Sequence, residues 1–335
     1  MSVIVERAGP LVAVQDAGRA GGLGVGLSRG GAVDRLAYIE GVALLDQPLG
    51  AAALEMAGVG GRFRLEAGMW FALTGARMKA TLDGAPIEGR ASYLAAPGSV
   101  LDIGSADVGV YGYLHLGGGI ETPFELGGRG FHRIAGLGRA VVAGDRLPVA
   151  ASQKKGQGPM RLPQMAATTA PLRVMPGPQT EMFPAETRQT FEATVFHRST
   201  RANRQGVRLD HDGAPFSVGA QLHQVSDFIS EGDIQMTGDG TPYVLLAECQ
   251  TMGGYPRIGT VLPADLPRIA QAVAGDEIRF RFVSVEEAEA AWKSDEALLA
   301  RLVRRREPRV RDPRDMADLL RYEMIDRPHR DVVDE

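Results

Sequence analysis

Two groups of residues in this chain have the types and spacing to do chemistry. The first is the stretch Gln15-Asp-Ala-Gly-Arg-Ala-Gly-Gly-Leu-Gly-Val-Gly-Leu-Ser-Arg-Gly-Gly-Ala-Val-Asp34, in which seven glycines stand among two arginines, two aspartates and a serine. Glycine admits positive φ and lets backbone approach a ligand, at an entropic cost, so this density points to a binding loop, with a surface loop of tight turns as the plainer alternative. The second group lies far downstream, in Arg201-Ala-Asn-Arg-Gln-Gly-Val-Arg-Leu209, Gly232-Asp-Ile-Gln235 and Gln250-Thr-Met-Gly-Gly-Tyr-Pro-Arg-Ile258. Side-chain amides, a phenol and glycine-exposed N–H groups suit an amide or urea carbonyl and the charge that develops on it, while arginines suit a carboxylate.

Other motifs carry less. Gly26-Leu-Ser-Arg-Gly30 fits the Gly-x-Ser-x-Gly pattern of a nucleophile elbow, but glycines rather than a strand precede Ser28 and the helix begins several residues later. None of His115, His132, His197, His211 or His223 stands in an identifying context for a triad, so Ser28 is not taken as a nucleophile. Met78-Lys79-Ala80 lacks the second methionine of a biotin-attachment hairpin, and Lys79 reads as a strand lysine. Without paired histidines or Cys-x-x-Cys no metal is expected, and without a Gly-x-x-x-x-Gly-Lys-Ser/Thr loop no ATP is expected through such a loop.

The elements that must position these groups read as mainly β. The 335 residues exceed one usual core, and 43 glycines, 20 prolines and 6% aromatics favour short strands and turns. A net charge of -4 disfavours nucleic acid, a single cysteine, Cys249, fits a reducing compartment, and no stretch is long and apolar enough for a bilayer, so the expectation is a cytoplasmic protein. Strands are expected over 2–5 and 11–14, then a helix from Asp34, its N-cap, to Asp46, with Leu36, Ala37, Ile39, Ala43 and Leu44 at helical spacing. Alternation predicts strands at 62–65, 70–74, 79–82, 99–103, 109–115 and 139–142. Residues 1–150 form one domain on this reading, 151–171 an interdomain linker, 172–290 a second domain, and 291–335 a helical, charged extension. Within the second domain, helices are expected at 185–191 and 266–273 and strands at 243–247 and 277–282. Ser284-Val-Glu-Glu287 is a capping box, and 288–306 reads as one helix leading into seven arginines between Arg301 and Arg314 on a solvated face; Asp326, Asp331, Asp334 and Glu335 could pair with them. The recurring Ala96-Pro-Gly-Ser-Val-Leu, Val142-Ala-Gly-Asp-Arg-Leu and Val273-Ala-Gly-Asp-Glu-Ile hint at two barrels of related design.

Val14-Gln-Asp-Ala-Gly-Arg19, Gly30-Gly-Ala-Val-Asp34, Leu54-Glu55, Leu73-Thr-Gly-Ala76, Gly117-Gly-Gly119, Asn203-Arg-Gln-Gly206, Ile234-Gln235 and Gln250-Thr-Met-Gly-Gly-Tyr-Pro256 together resemble the biotin-dependent carboxyltransferase family. That family also covers allophanate hydrolase subunit 2, the C-type subunit of 5-oxoprolinase and urea amidolyase-related proteins. The resemblance spans residues 3–290 and implies two cyclophilin-like β-barrel domains, with a few short helices and an active cleft between them. It implies a partner similar to the B-type subunit of 5-oxoprolinase or to allophanate hydrolase subunit 1, and a third subunit. No cofactor is expected on this chain itself; ATP or carboxybiotin would come through those partners. Carried onto this sequence, the resemblance gives Asp34 and Tyr255 as catalytic candidates, with Asp34 orienting the loop or moving a proton. It gives Arg19, Asn203, Arg204, Gln235, Gln250 and Thr251 as substrate-binding candidates, with Arg19 on a carboxylate and Asn203, Gln235 and Tyr255 on an amide carbonyl. Phe228 and Gln205 depart from the pattern and leave the substrate open. Three functions are implied: opening the lactam of 5-oxoproline to glutamate within an ATP-dependent complex, carboxyl transfer to a urea-like substrate, or non-catalytic antagonism of a sensor-kinase inhibitor protein.

Overall fold

The computed structural model describes residues 1–152, 158–164, 168–216 and 226–309. Strand, at 39%, outweighs helix, at 17%, so the protein is mainly β, and its first sheet nearly closes into a barrel. That sheet uses β1 (Ser2–Ala8), β2 (Val12–Gln15), β3 (Ala53–Ala57), β4 (Gly61–Leu65), β5 (Met69–Leu82), β6 (Ala85–Ile87), β7 (Ala91–Ala95), β8 (Val100–Leu116), β9 (Arg146–Pro148) and β10 (Met160–Arg161). Its spine is the antiparallel pair β5 and β8. The sequence suggested two strands in place of each, because alternation breaks mid-way. The break is a set of bulges: Gly75 has φ +79°, and a Cβ there would lie 2.3 Å from the Tyr111 carbonyl, so the strand bends there without ending. One end of β8 therefore pairs β4 and the other pairs β3, wrapping the sheet around Val5, Phe63, Phe71, Leu101 and Leu114.

The strand expected at 139–142 is absent save for an isolated Ala13–Ala140 bridge. Asp145 curls this segment into a turn, accepting from the Val142 N–H at 2.9 Å and pairing with Arg139.

The second sheet is built from β11 (Leu172–Met175), β12 (Phe196–Asn203), β13 (Gly206–Asp210), β15 (Asp233–Met236), β16 (Pro242–Leu245), β18 (Arg257–Val261), β19 (Glu277–Ile278) and β20 (Phe280–Phe282), in the spatial order β19, β12, β13, β16, β15, β18, β11, β20. Short strands β14 (Asp227–Phe228) and β17 (Met252–Gly253) pair with each other. Helix α1 (Arg35–Leu45) runs between the capping Asp34 and Asp46, as its spacing predicts. It is apolar nearly all round, and one apolar cluster continues from α1 through Tyr113 to Val174, Phe196 and Ile258 of the second sheet. Helix α2 (Ala185–Ala193) places Phe191 among Phe196, Phe216 and Phe280, and α3 (Leu266–Gln271) follows Asp265, whose carboxylate grips Arg173 instead of capping the helix.

The single helix expected over 288–306 is two, α4 (Val285–Ala291) and α5 (Asp295–Arg305), because Ser294 supplies a second N-cap to the Ala297 N–H. Helix α5 packs on α1. Arg306, expected on a solvated face, instead has its side chain buried, donating to the Ala43 carbonyl at 2.7 Å and pairing with Asp46 at the end of α1, where the dipole favours a cation. The chain then adds β21 (Glu307–Pro308) beside β10 on the first sheet. The arginines beyond residue 309 and the terminal acids lie outside the described residues.

His115 on β8 is fully buried between Tyr38 and Tyr113, with no hydrogen-bond partner for either ring nitrogen among the described residues. Burial pushes its pKa down to about 3. The unfolded chain takes up this proton near pH 6.5 and the native state does not until about 3, so stability is lost as pH falls through that window. His115→Phe should make urea-unfolding stability less steep between pH 6 and 4 by about one proton, about 1.4 kcal/mol per pH unit; an unchanged slope would contradict the assignment.

Candidate functional site

The downstream group of chemical residues converges on a cleft of about 470 Å³ on the second sheet. The β12–β13 hairpin contributes Asn203, β15 Gln235, β16 Tyr243, and the segment after β16 Cys249, Gln250 and Tyr255. Asn203 Oδ1 accepts from the Gln205 N–H at 2.7 Å, which fixes the side chain and leaves its Nδ2 donors free of that bond. Gln235 is buried at the base, Tyr255 is 49% exposed, and Asn203 and Gln250 are exposed. Among the described residues neither aspartate nor glutamate occurs in the lining. Cys249, which sequence reading did not place here, has its thiol pushed up to about 12 by burial and then by Glu231 and Asp233, so it remains protonated at neutral pH.

Arg201 opens the downstream group of residues but is not among the sequence candidates for a binding role, since β-strand alternation conceals where it faces. The β12–β13 register shifts between Arg198 and Ala202, and this bulge lets Thr200, Arg201, Ala202 and Asn203 all line the cleft.

The remaining sequence candidates lie elsewhere. Arg204, at the tip of the same hairpin, turns away from the cleft lining. It donates to Glu248 Oε1 at 2.6 Å, to the Gly31 carbonyl at 2.7 Å and to Glu55 Oε1. Glu55 Oε2 in turn accepts from the Val33 N–H at 2.9 Å and the Tyr113 hydroxyl at 2.7 Å. Burial opposes the charge on Arg204, but Glu55 and Glu248 outweigh it and raise its pKa. This junction stitches β3, β8, the glycine loop and the second sheet together.

The glycine loop does not line the cleft. Its arginines are drawn inward by backbone oxygens and one acid. Arg19 is buried and donates to the carbonyls of Glu125 at 3.0 Å and Gly130 at 2.9 Å. Arg29 donates to the Ala17 carbonyl and, bidentately, to Glu231. Gly31 has φ +70°, and a Cβ there would sit 2.4 Å from the Gly18 nitrogen, so the loop's glycines serve its own compaction. Thr251 is buried beside Gly26, where loop and cleft-bearing segment meet.

Asp34 caps α1, accepting from the Ala37 N–H at 2.9 Å and from Gln271 Nε2 at 2.7 Å. Burial raises its pKa to about 6, so the proton-linked part of its contribution to stability is present below about pH 4 and lost as pH rises through 6, while the cap itself remains.

Ser28 has a histidine after all: its Oγ lies 2.9 Å from His132 Nε2, across 104 residues. His132 Nδ1 accepts from the Ala135 N–H at 3.2 Å, which assigns the ring hydrogen to Nε2. The histidine thus donates to the serine, the reverse of what activating a nucleophile requires. Burial is the first cause holding the His132 pKa down. Among the described residues no group of three or more His, Cys, Asp or Glu could hold a metal ion, and no helix is long and apolar enough to cross a membrane.

The model of the carboxyltransferase domain, subdomain A and B, matches residues 25–282. The chain is 30% identical over 299 residues to the C-type subunit of 5-oxoprolinase from Haemophilus influenzae, covering 87% of this chain and 94% of that protein. Among solved structures, TTHA0988 is similar with a TM-score of 0.76 and 31% identity over 84% of this chain; the match spans 55% of that longer chain. The urea amidolyase of K. lactis shares the fold with a TM-score of 0.81 at 23% identity, over 90% of this chain and 20% of that one.

The geometry separates structural from cleft residues, and that separation is measurable. Arg204→Met leaves two buried carboxylates unpaired and should cost about 3–5 kcal/mol in urea unfolding. Asp34→Ala should cost about 1–2 kcal/mol through the lost cap while leaving the affinity of the folded protein for a cleft ligand unchanged; a selective loss of ligand affinity would return Asp34 to the site.

Proposed function

This chain belongs to the carboxyltransferase subdomain A and B family, and on that premise we propose that it is the component of a 5-oxoprolinase-type complex that holds a small amide while the complex opens it. The reaction assigned is the ATP-dependent opening of the 5-oxoproline lactam to glutamate. The observation that carries this reading is the convergence of Asn203, Gln235, Gln250 and Tyr255, from separate segments, on one cleft. Amide N–H donors and a phenol are the groups that hold a lactam carbonyl and stabilise the charge that builds on its oxygen when the C–N bond is attacked. Gln235, held at the base, sets the carbonyl's position; Tyr255 at the mouth donates its hydroxyl hydrogen. Asp34 and Arg19 fix the loop and α1 behind the cleft.

ATP is assigned to the partners, a B-type subunit and a third component. Among the described residues the cleft's lining has a single formal charge, which does not suit a triphosphate. The chain alone should therefore bind the lactam without turning it over.

The test is glutamate release from 5-oxoproline with ATP, by the chain reconstituted with its candidate partner subunits. Turnover is expected only from the complete assembly, with Gln235→Ala and Tyr255→Phe each lowering kcat/KM by about 10- to 100-fold at unchanged thermal stability. Absence of lactam opening, together with carboxylation of urea by an assembly containing a biotin carrier, would overturn the reading in favour of carboxyl transfer. Partner binding without turnover of any amide would favour an antagonist.

A further inference from the structure

The cleft is electrically lopsided. Among the described residues the only charged side chain in its lining is Arg201, and no carboxylate lies within ion-pairing distance of it. The surrounding acids are already engaged: Asp210 with Arg208, Glu248 with Arg204, Asp227 and Asp233 with Arg257, and Glu231 with Arg29. An exposed arginine is ordinarily unremarkable. This one is carried into a concave site by a register shift, in a neighbourhood where each of those carboxylates is in an ion pair with another arginine, Asp227 and Asp233 sharing Arg257, and where Asp210 feels Arg201 only at longer range.

We propose that Arg201 is the carboxylate anchor of the cleft, so that the site selects small amides bearing a carboxylate and discriminates against neutral amides and ureas of similar size. This rests on the reading of the cleft as the amide site and adds its specificity. The planar guanidinium offers paired N–H donors that match a carboxylate bidentately, and the described lining holds no carboxylate to neutralise its charge. The uncharged groups, Asn203 Nδ2 and the Gln235 amide, remain for the carbonyl and ring N–H. A lactam carrying its carboxylate next to the ring nitrogen uses both sets of groups. A neutral amide uses only the second, and a cationic one would face Arg201 with no counter-charge in the lining. Arg19, which the resemblance gives as the carboxylate ligand, commits Nε and Nη2 to the carbonyls of the 125–130 segment; its Nη1 is buried without a partner among the described residues, but the residue stands outside the lining of this cleft.

The experiment compares 5-oxoproline with 2-pyrrolidinone, the same lactam without the carboxylate, as titrants of the full-length chain in calorimetry, and as substrate and competitor in the reconstituted complex. The wild-type protein should bind 5-oxoproline at least about tenfold tighter, and that preference should shrink as salt rises. Arg201→Gln should weaken 5-oxoproline binding by about 10- to 100-fold, leave 2-pyrrolidinone binding unchanged, and raise KM with kcat retained; Arg201→Lys should restore part of the preference. Equal affinity of the wild-type chain for the two lactams, or an Arg201→Gln variant that still prefers 5-oxoproline, overturns the anchor while the amide site stands. Failure of both lactams to bind, with no turnover by the complex, overturns the amide site and the anchor with it.

Discussion

The Glu55–Arg204–Glu248 junction is the constraint on which the rest of the molecule depends. Arg204 is largely buried and its two carboxylates are almost wholly so, and such a group is stable only when every charge meets its partner. The contacts that satisfy it come from β3, β8, the glycine loop, the β12–β13 turn and the segment after β16. No member can move without uncovering a charge. Asn203 and Gln205 flank Arg204 on the cleft side, so the cleft's shape is set from behind by an interaction that touches no ligand.

The two halves are joined in other ways as well. The Gln271 side chain accepts from the Val110 and Tyr111 N–H groups of β8 and donates to Asp34, so α3 of the second half reads the first half's backbone directly. Helix α1 is buried in an apolar cluster common to both sheets, and the cleft lies on the second of them.

Much of this was legible where the signal is local. The Asp34 cap, the α1 period and the Ser284 cap are set by residues within a turn of each other, and the structure has all three. The motif residues Asn203, Gln235, Gln250 and Tyr255, amides and a phenol near glycine turns, stand out in the sequence and come together in one cleft. What escaped depends on contacts between distant residues. Bulges turn four expected strands into two long ones, Ser28 finds His132 from across the chain, and Arg201 is re-aimed by a shift in pairing. Arg19 and Arg201 are the same residue type in chemically suggestive settings. The carbonyls of the 125–130 segment hold Arg19 in the interior through Nε and Nη2, while the β12–β13 register shift turns Arg201 to the cleft.

The placement of β21 has a further consequence. The outermost strand of the first sheet and the Arg306 clasp on α1 come from the last described residues, although nearly everything they complete was encoded before residue 162. During synthesis the N-terminal barrel therefore leaves the ribosome with β10 unpaired on one side and the Asp46-capped end of α1 still lacking the Arg306 cation, and must wait for the whole second sheet to emerge. Such late, sequence-distant closure slows folding and exposes an edge meanwhile. The two sheets are thus tied in time as well as in space, since the first is finished only by residues that follow the second.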